Sequence, residues 1–313
     1  INKRGAKMAL YIGIDIGGTA IKGVVIDENG KLYGEDSVVT VRGEEIVNGI
    51  AALCNRLSRQ NGGRIAGVGI GCAGVIDSAN GKVVLASNLG LADFSMVGLL
   101  KEKINLPVRI TNDANAAALG EAKFGAGKNY KNSILVTLGT GVGGGIVIDG
   151  RLFEGNKSAG AEIGHMVIER GGAQCSCGRQ GCFEAYSSAT ALKRRTKWAM
   201  EEDTGSAMWG KYTSDKVTGK TAFEYADCDT SARKVVDWYI DYLACGLVNL
   251  ANAFRPEVIM LGGGVSKEGE RLTAPLQEIL DREVFAAQYA RVLVKTAALG
   301  AAAGAYGAAA LWL

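Results

Sequence analysis

LYIGIDIGGTAIKGVVID, Leu10 to Asp27, reads as two apolar strands, Leu10–Ile16 and Ile21–Ile26, joined by the turn Gly17-Gly18-Thr19. Asp27-Glu28-Asn29-Gly30 is a hairpin turn, and Leu32–Val41 makes a third strand. Glu44–Gln60 then carries Ile46, Ile50, Leu53 and Leu57 at helical spacing and is stopped by Asn61-Gly62-Gly63. Ile65–Gly71 returns as a strand, Met96–Ile104 as a helix and Pro107–Thr111 as a strand. That strand leads into Asn112-Asp113, which can cap a helix over Ala114–Phe124.

The pattern then recurs. Ser133–Leu138 is a strand that turns through Gly139-Thr140-Gly141 into a strand over Gly145–Asp149. Ala189–Glu201 and Ser231–Phe254 are helical, and residues 202–230 between them are polar and irregular. Val258–Leu261 is a strand ending in Gly262-Gly263-Gly264, followed by a helix over Leu272–Arg282 and a strand over Val292–Lys295. Two modules, each a β-hairpin followed by βα units, make a weak internal repeat. Each glycine turn lies between two strands with no helix following, so neither is a P-loop or a dinucleotide fingerprint.

A chain of 313 residues makes two domains or one large one, and with 48% hydrophobic residues it can bury a sizeable core. A net charge of +3 without a dense basic run implies no nucleic-acid partner. The start, INKRGAK, is basic, but Asp15 comes too soon for a signal-peptide core, and Met8 is a candidate natural start. Thr296–Leu313 is uncharged, yet it is mostly Ala and Gly, so it reads as a close-packed helix inside the protein and not as a membrane span. Together these features suggest a cytoplasmic protein in a reducing compartment.

Between Glu162 and Glu184 stands EIGHMVIERGGAQCSCGRQGCFE, which holds the single histidine, His165, with Cys175, Cys177 and Cys182. Thiolate and imidazole ligands at this spacing suit a tetrahedral Zn²⁺. Four protein ligands close its coordination sphere, so the zinc is expected to be structural and to leave the chemistry to neighbouring groups. A Cys-x-Cys pair is too tight for an ordinary disulfide, and seven cysteines in total argue against a disulfide framework. Cys54, Cys72, Cys228 and Cys245 are expected to be small core residues.

Asp15, Gly17, Gly18 and Thr19 supply a carboxylate, a bare backbone and a hydroxyl, with Lys22 adding charge. Such a turn lets amide N–H groups approach phosphate oxygens, while Asp15 can hold Mg²⁺ directly or through water. Gly139, Thr140, Gly141 and Gly143 form a second turn of this kind, and the two suggest a clamp on a polyphosphate chain. Gly262, Gly263 and Gly264 can pass beneath a nucleotide base or ribose. Asp113 either caps its helix or accepts a proton from a substrate hydroxyl. Asn88, Glu162 and Glu184 are polar groups near turns that can bind a polyol or simply face solvent.

DIGGTAIKG, NDANAAALGE, TLGTGVGGGIV, GAEIGHM, CSCGRQGCFEAYSS and LGGGVS, in this order, resemble the ROK family of repressors, open reading frames and kinases. The resemblance implies an α/β fold of the actin-like ATPase, hexokinase type: two RNase H-like domains around a cleft. The expected division is residues 1–114 plus 298–313, and 115–297 with the zinc loop. It further implies ATP- and Mg²⁺-dependent phosphorylation of a hexose hydroxyl, with glucose and its 6-OH as first expectation and a homodimer as the assembly. By the family pattern, Asp15–Thr19 and Gly139–Gly143 match the phosphate loops, Gly262–Gly264 the adenosine loop and Asp113 the catalytic base. Asn112, Glu162, His165 and Glu184 match sugar ligands, with His165 serving the zinc through its other nitrogen.

Glucokinases of the family usually read G-x-P-G-x-V-D where this chain has Gly71-Cys72-Ala73-Gly74-Val75-Ile76-Asp77, with Gly74 in a segment bordering the sugar. Ser87-Asn88-Leu89-Gly90-Leu91 lacks the family's frequent tryptophan. N-acetylmannosamine, N-acetylglucosamine and fructose therefore stand beside glucose as substrates. A sugar-responsive repressor needs a winged helix-turn-helix for which the first strand, near Leu10, leaves no room. A silent sugar-binding protein has no need of Asp113 and both phosphate turns.

Overall fold

The computed structural model describes residues 9–62 and 64–313; Met8, the preceding INKRGAK and Gly63 lie outside the described residues. By internal contacts the described residues divide into two units, one made of the chain up to residue 131 with 145–161 and 298–313, the other of 132–144 and 162–297.

The first unit is built on a sheet of β1 (Leu10–Ile16), β2 (Ala20–Asp27), β3 (Leu32–Val39), β4 (Ile65–Cys72) and a later strand that follows a small meander. The meander, β5 (Val75–Asp77), β6 (Lys82–Ala86) and β7 (Leu91–Phe94), is a separate three-stranded sheet absent from the sequence expectation. β8 (Val108–Asn112) completes the main sheet in the order β3-β2-β1-β4-β8, with β1, β4 and β8 parallel. Its central strands are apolar on both faces because helices cover both. On one side α1 (Ile46–Gln60) buries Ile50, Leu53 and Leu57, and α2 (Met96–Lys101) buries Met96 and Leu100. Residues 43–45 are a 3₁₀ turn, so the helix expected from Glu44 starts two residues later.

The other side is covered by α3 (Asp113–Phe124) together with the last helix of the chain. Gly13 of β1 and Gly69 of β4 are register partners. A Cβ on either would strike the backbone carbonyl of Ala305 or Ala308 in that helix. These bare positions let a helix of Ala and Gly lie directly on the sheet. α3 packs on the same helix through its own small residues, Ala116 and Gly120. This packing places α3 in the first unit, whereas the expected boundary fell at Ala114.

The second unit repeats the plan with β9 (Ser133–Leu138), β10 (Val142–Ile148), β11 (Arg151–Phe153) and two further strands. β10 begins at Val142, three residues earlier than expected, and its last residues, with β11, group with the first unit. Helices α4 (Glu184–Ser187), α5 (Ala189–Glu202), α6 (Thr221–Tyr225) and α7 (Thr230–Phe254) come next. The stretch 202–230, expected to be irregular, holds α6 and two 3₁₀ turns and buries Met208, Val217 and Phe223. β12 (Val258–Gly263), α8 (Glu270–Glu283) and β13 (Leu293–Thr296) follow, and α9 (Ala303–Ala310) is the buried terminal helix. The strand order β11-β10-β9-β12-β13 matches that of the first sheet. The repeat suspected in the sequence is thus a repeat of topology. Among the described residues, no helix is long and apolar enough to cross a membrane. Cys54 and Cys72 are buried as expected, Cys245 is half-buried, and Cys228 is exposed on the turn after α6, not in a core.

Candidate active site

In the first unit the functional residues collect at the carboxyl ends of parallel strands, the usual place for ligands in such sheets. Asp15 is the penultimate residue of β1, Cys72 ends β4 and Asn112 ends β8; Asp15 pairs with Gly71, and Cys72 with Asn112. Across the β1–β2 hairpin Lys22 stands opposite Asp15. Gly17 closes the turn through its N–H to the Ala20 carbonyl at 3.1 Å. Gly18 and Thr19 are exposed, and a Cβ on Gly18 would meet nothing within 4 Å, so packing does not explain that glycine.

Asn112 is the N-cap of α3: its Oδ1 accepts from the Ala114 and Asn115 amides at 2.9 and 3.3 Å. Asp113 is the first helical residue, so capping falls mainly to its neighbour. Burial holds the Asp113 carboxyl above the ordinary range, against the pull of the Ala114 N–H on Oδ1. Burial also lifts Asp15, to about 6, with the Asp113 charge adding to it and Lys22 opposing. The Cys72 thiol beside this pair is pushed up to about 12 by burial and by both carboxylates, and stays neutral. Two carboxyls raised by burial, with the Asp113 charge raising Asp15 further, form a donor set that suits a hard cation such as Mg²⁺.

Gly74, at φ +115°, takes a conformation that favours glycine, and its carbonyl accepts from Asn112 Nδ2 at 3.0 Å. Asn88 is exposed on the turn between β6 and β7. Glu154, not singled out in the sequence, accepts from Ser78 Oγ at 2.6 Å and Thr111 Oγ1 at 2.8 Å. Glu121, also missed, is fully buried and accepts from the amides of Ala126, Ala298 and Leu299. The acid ending NDANAAALGE was its signal, since a carboxylate inside a run of small residues needs buried donors.

In the second unit, the turn after β9 and the Gly262–Gly264 loop leave adjacent parallel strands, with Gly263 paired to Leu138. The turn is closed by the Gly139 N–H to the Gly141 carbonyl at 3.0 Å. It is held from outside by the Ala189 amide on Gly139 O at 2.8 Å and by Thr190 Oγ1 on Thr140 O at 2.7 Å. Glu184 Oε2 accepts from the Val142 N–H at 3.0 Å, and a Cβ on Gly141 would collide with that carboxylate. So packing against Glu184 is one reason for glycine at 141.

His165, Cys175, Cys177 and Cys182 converge, with one donor atom from each within 4.8 Å of the others. Cys175 Sγ lies 3.7 Å from His165 Nδ1, and Cys177 Sγ 3.6 Å from Cys182 Sγ. A tetrahedral zinc with Zn–S of about 2.3 Å needs edges of roughly 3.8 Å, so the four side chains fit the ion. Nδ1 is the nitrogen turned to the Cys175 thiol, which leaves Nε2 for another partner. The loop rests on Tyr186, whose hydroxyl accepts from the Ala173 N–H at 2.6 Å and whose ring stacks on Tyr242 of α7 at 4.2 Å. Glu162 is exposed at the start of the 3₁₀ turn that carries His165.

The profile of the ROK family matches residues 11–313. The chain belongs to the ROK family. A glucokinase of Halalkalibacterium halodurans is 42% identical over 86% of this ROK chain and 84% of that protein. A glucokinase of Streptomyces coelicolor is 37% identical over 96% of this chain and 97% of its own. Among solved structures, a ROK glucokinase from Streptomyces griseus, in complex with glucose and AMPPNP, is 37% identical with a TM-score of 0.79, covering 97% of this chain and 99% of its own. A ROK hexokinase from Thermus thermophilus is 33% identical with a TM-score of 0.83, covering 96% and 97%. The two-domain actin-like ATPase fold expected from the sequence is that of these ROK kinases. A xylose repressor of Caldicellulosiruptor bescii is 30% identical over 92% of this chain and 74% of that protein.

Proposed function

We propose that the protein transfers the γ-phosphoryl group of ATP to the 6-hydroxyl of glucose, with Asp113 as general base. Its relatives make the chain an ATP-dependent sugar kinase; the sugar, the position and the residue roles are the proposal. One observation carries it. Asp113 stands on the first turn of α3, held there by Asn112, with a carboxyl whose proton affinity is raised by burial. Such a group takes a proton more readily than an ordinary aspartate.

The sugar hydroxyl gives its proton to Asp113 while its oxygen attacks the γ-phosphorus in line. The bond from that phosphorus to the bridging oxygen breaks, and the electron pair leaves with ADP. Gly17, Gly18 and Thr19, and Gly139, Thr140, Gly141 and Gly143, offer amides and hydroxyls to the phosphates, with Lys22 adding positive charge. Gly262, Gly263 and Gly264 take the adenosine. Asp15 would hold Mg²⁺, which would supply charge neutralisation on the phosphate oxygens. Gly74, Asn88, Asn112, Glu162, His165 and Glu184 bind the sugar. His165, Cys175, Cys177 and Cys182 would hold the structural zinc, which fixes the imidazole. A cytoplasmic homodimer belongs to the same reading.

The test is sugar-dependent ADP release with Mg-ATP across glucose, N-acetylmannosamine, N-acetylglucosamine, fructose and a no-sugar blank. Glucose is expected to lead. A preference for an N-acetylated sugar or fructose would replace the substrate, and silence across the panel with zinc-loaded protein would overturn the reading.

A further inference from the structure

The second phosphate turn is not a free loop. Three hydrogen bonds hold it from the segment just after the metal loop: the Val142 amide to Glu184, the Ala189 amide to the Gly139 carbonyl and the Thr190 hydroxyl to the Thr140 carbonyl. Glu184 is the link that also faces the other way. Its Oε1 accepts from Ser176 Oγ at 3.2 Å and lies 3.8 Å from Cys175 Sγ, both inside the metal loop. The side chain is half-buried, and the absence of a Cβ on Gly141 is what lets it reach the turn.

We infer that Glu184 is a positioning residue for the nucleotide: one oxygen fixes the Val142 amide of the phosphate turn and the other is fixed by the metal loop. The order of that loop therefore sets affinity for the nucleotide as well as for the sugar. This rests on the reading that residues 139–143 bind ATP phosphates. The physical ground is that a turn donates N–H groups to phosphate only while its own backbone is held in the donating conformation. A carboxylate on the Val142 amide supplies a charge-assisted hydrogen bond for that purpose. It also explains why the ligand-bearing loop and α5 are consecutive in the chain: loop, carboxylate and both turn anchors fall between Cys175 and Thr190.

The experiment is calorimetric titration of Mg-ADP into sugar-free protein, so that any sugar contact of Glu184 plays no part. The proteins are wild type, Glu184→Ala, Glu184→Gln, Glu202→Gln and wild type stripped of metal. Amide hydrogen exchange with and without Mg-ADP reports whether residues 139–143 are covered. Thermal unfolding and zinc content show which variants stay folded and loaded. Glu184→Ala should weaken Mg-ADP about tenfold, the size of one hydrogen bond to a charged acceptor. Glu184→Gln keeps a carbonyl for the Val142 amide and should recover most of the affinity. Metal removal should weaken Mg-ADP as Glu184→Ala does, and Glu202→Gln, an exposed carboxylate at the far end of α5, should leave it unchanged. Wild-type affinity in folded Glu184→Ala, with the turn protected by Mg-ADP, would overturn the inference and leave the phosphate-turn reading standing. A turn left unprotected in wild type would remove that reading and the inference with it.

Discussion

Asn112 donates from Nδ2 to the Gly74 carbonyl at 3.0 Å while its Oδ1 caps α3. One amide thereby ties the loop after β4 to the helix that carries Asp113. Asn112→Ser should keep the cap and lose the donor, whereas Asn112→Ala loses both. Capping is worth about 1 kcal/mol, so the alanine variant should unfold at lower temperature and the serine variant close to wild type. Both should raise KM for the sugar, because Gly74 is no longer held. A serine variant with unchanged KM would mean that the tie to Gly74 plays no part in sugar binding.

Asp113→Asn removes the proton acceptor and retains the shape. Turnover should fall by roughly 10²- to 10⁴-fold with the sugar dissociation constant little changed. The substitution also removes a like charge beside Asp15, so the Asp15 pKa should move down from about 6, as followed by its carboxyl carbon-13 shift. Retention of the wild-type rate would leave Asp113 a helix residue and nothing more.

Strands, long helices and the loops between them were legible because their signals are local. Apolar runs, Asp27-Glu28-Asn29-Gly30 and the helical spacing of Ile46, Ile50, Leu53 and Leu57 each fix one element. The metal loop was legible for the same reason, since its ligands lie within one short stretch. The β5-β6-β7 meander was not. Its strands are short and, at Val75, Val84 and Leu85, expose apolar residues, so neither alternation nor length marks them. The roles of Glu121 and Glu184 toward the backbone, and of Glu154 toward the Ser78 and Thr111 hydroxyls, were hidden because these partners are distant in sequence, 177 residues for Glu121 and Ala298. A carboxylate in a sequence does not say which amide it will meet.

Purified protein should carry about one zinc per chain, and Cys177→Ser should lose metal and sugar affinity together. The thiols of Cys175 and Cys182 are buried while Cys177 is exposed, so chelators have access from the Cys177 side. Slow zinc release, followed by a colorimetric chelator, should speed up in Cys177→Ser. Metal-free protein with full sugar affinity would show that the loop holds its shape unaided.

Gly13 and Gly18 stand five residues apart and should answer the same substitution in opposite ways. In Gly13→Ala the new methyl meets the Ala305 carbonyl and lies 2.7 Å from the Ala309 nitrogen. Overpacking of that kind costs about 1–3 kcal/mol, and a backbone contact leaves little room to relax. At Gly18 the methyl meets nothing within 4 Å, so Gly18→Ala should unfold at the wild-type temperature. If the turn cradles phosphate, the same variant should raise KM for ATP several-fold, because the methyl occupies the approach to the amides. Normal ATP kinetics in Gly18→Ala would separate this turn from the nucleotide.

Asp15 also makes a prediction about stability, and its sign follows from its environment. Its carboxyl is pushed to about 6 in the folded protein, first by burial and then by Asp113. An unfolded aspartate titrates near ~3.9, so between these values the folded state holds the proton and the unfolded state does not. The group favours folding fully at pH below the unfolded value, and that contribution is lost as pH rises through about 6. A difference of roughly two pKa units corresponds to about 3 kcal/mol at most, with the remaining solvent exposure reducing it. Asp15→Asn should therefore stabilise the metal-free, nucleotide-free protein by up to that amount at pH 8, and by almost nothing at pH 4. The same variant should lose Mg-ATP binding, so a residue that costs stability is kept for the charge it brings. Urea unfolding of wild type and variant at the two pH values measures the difference. Equal stability at pH 8 would mean that Asp15 titrates as an ordinary surface carboxylate.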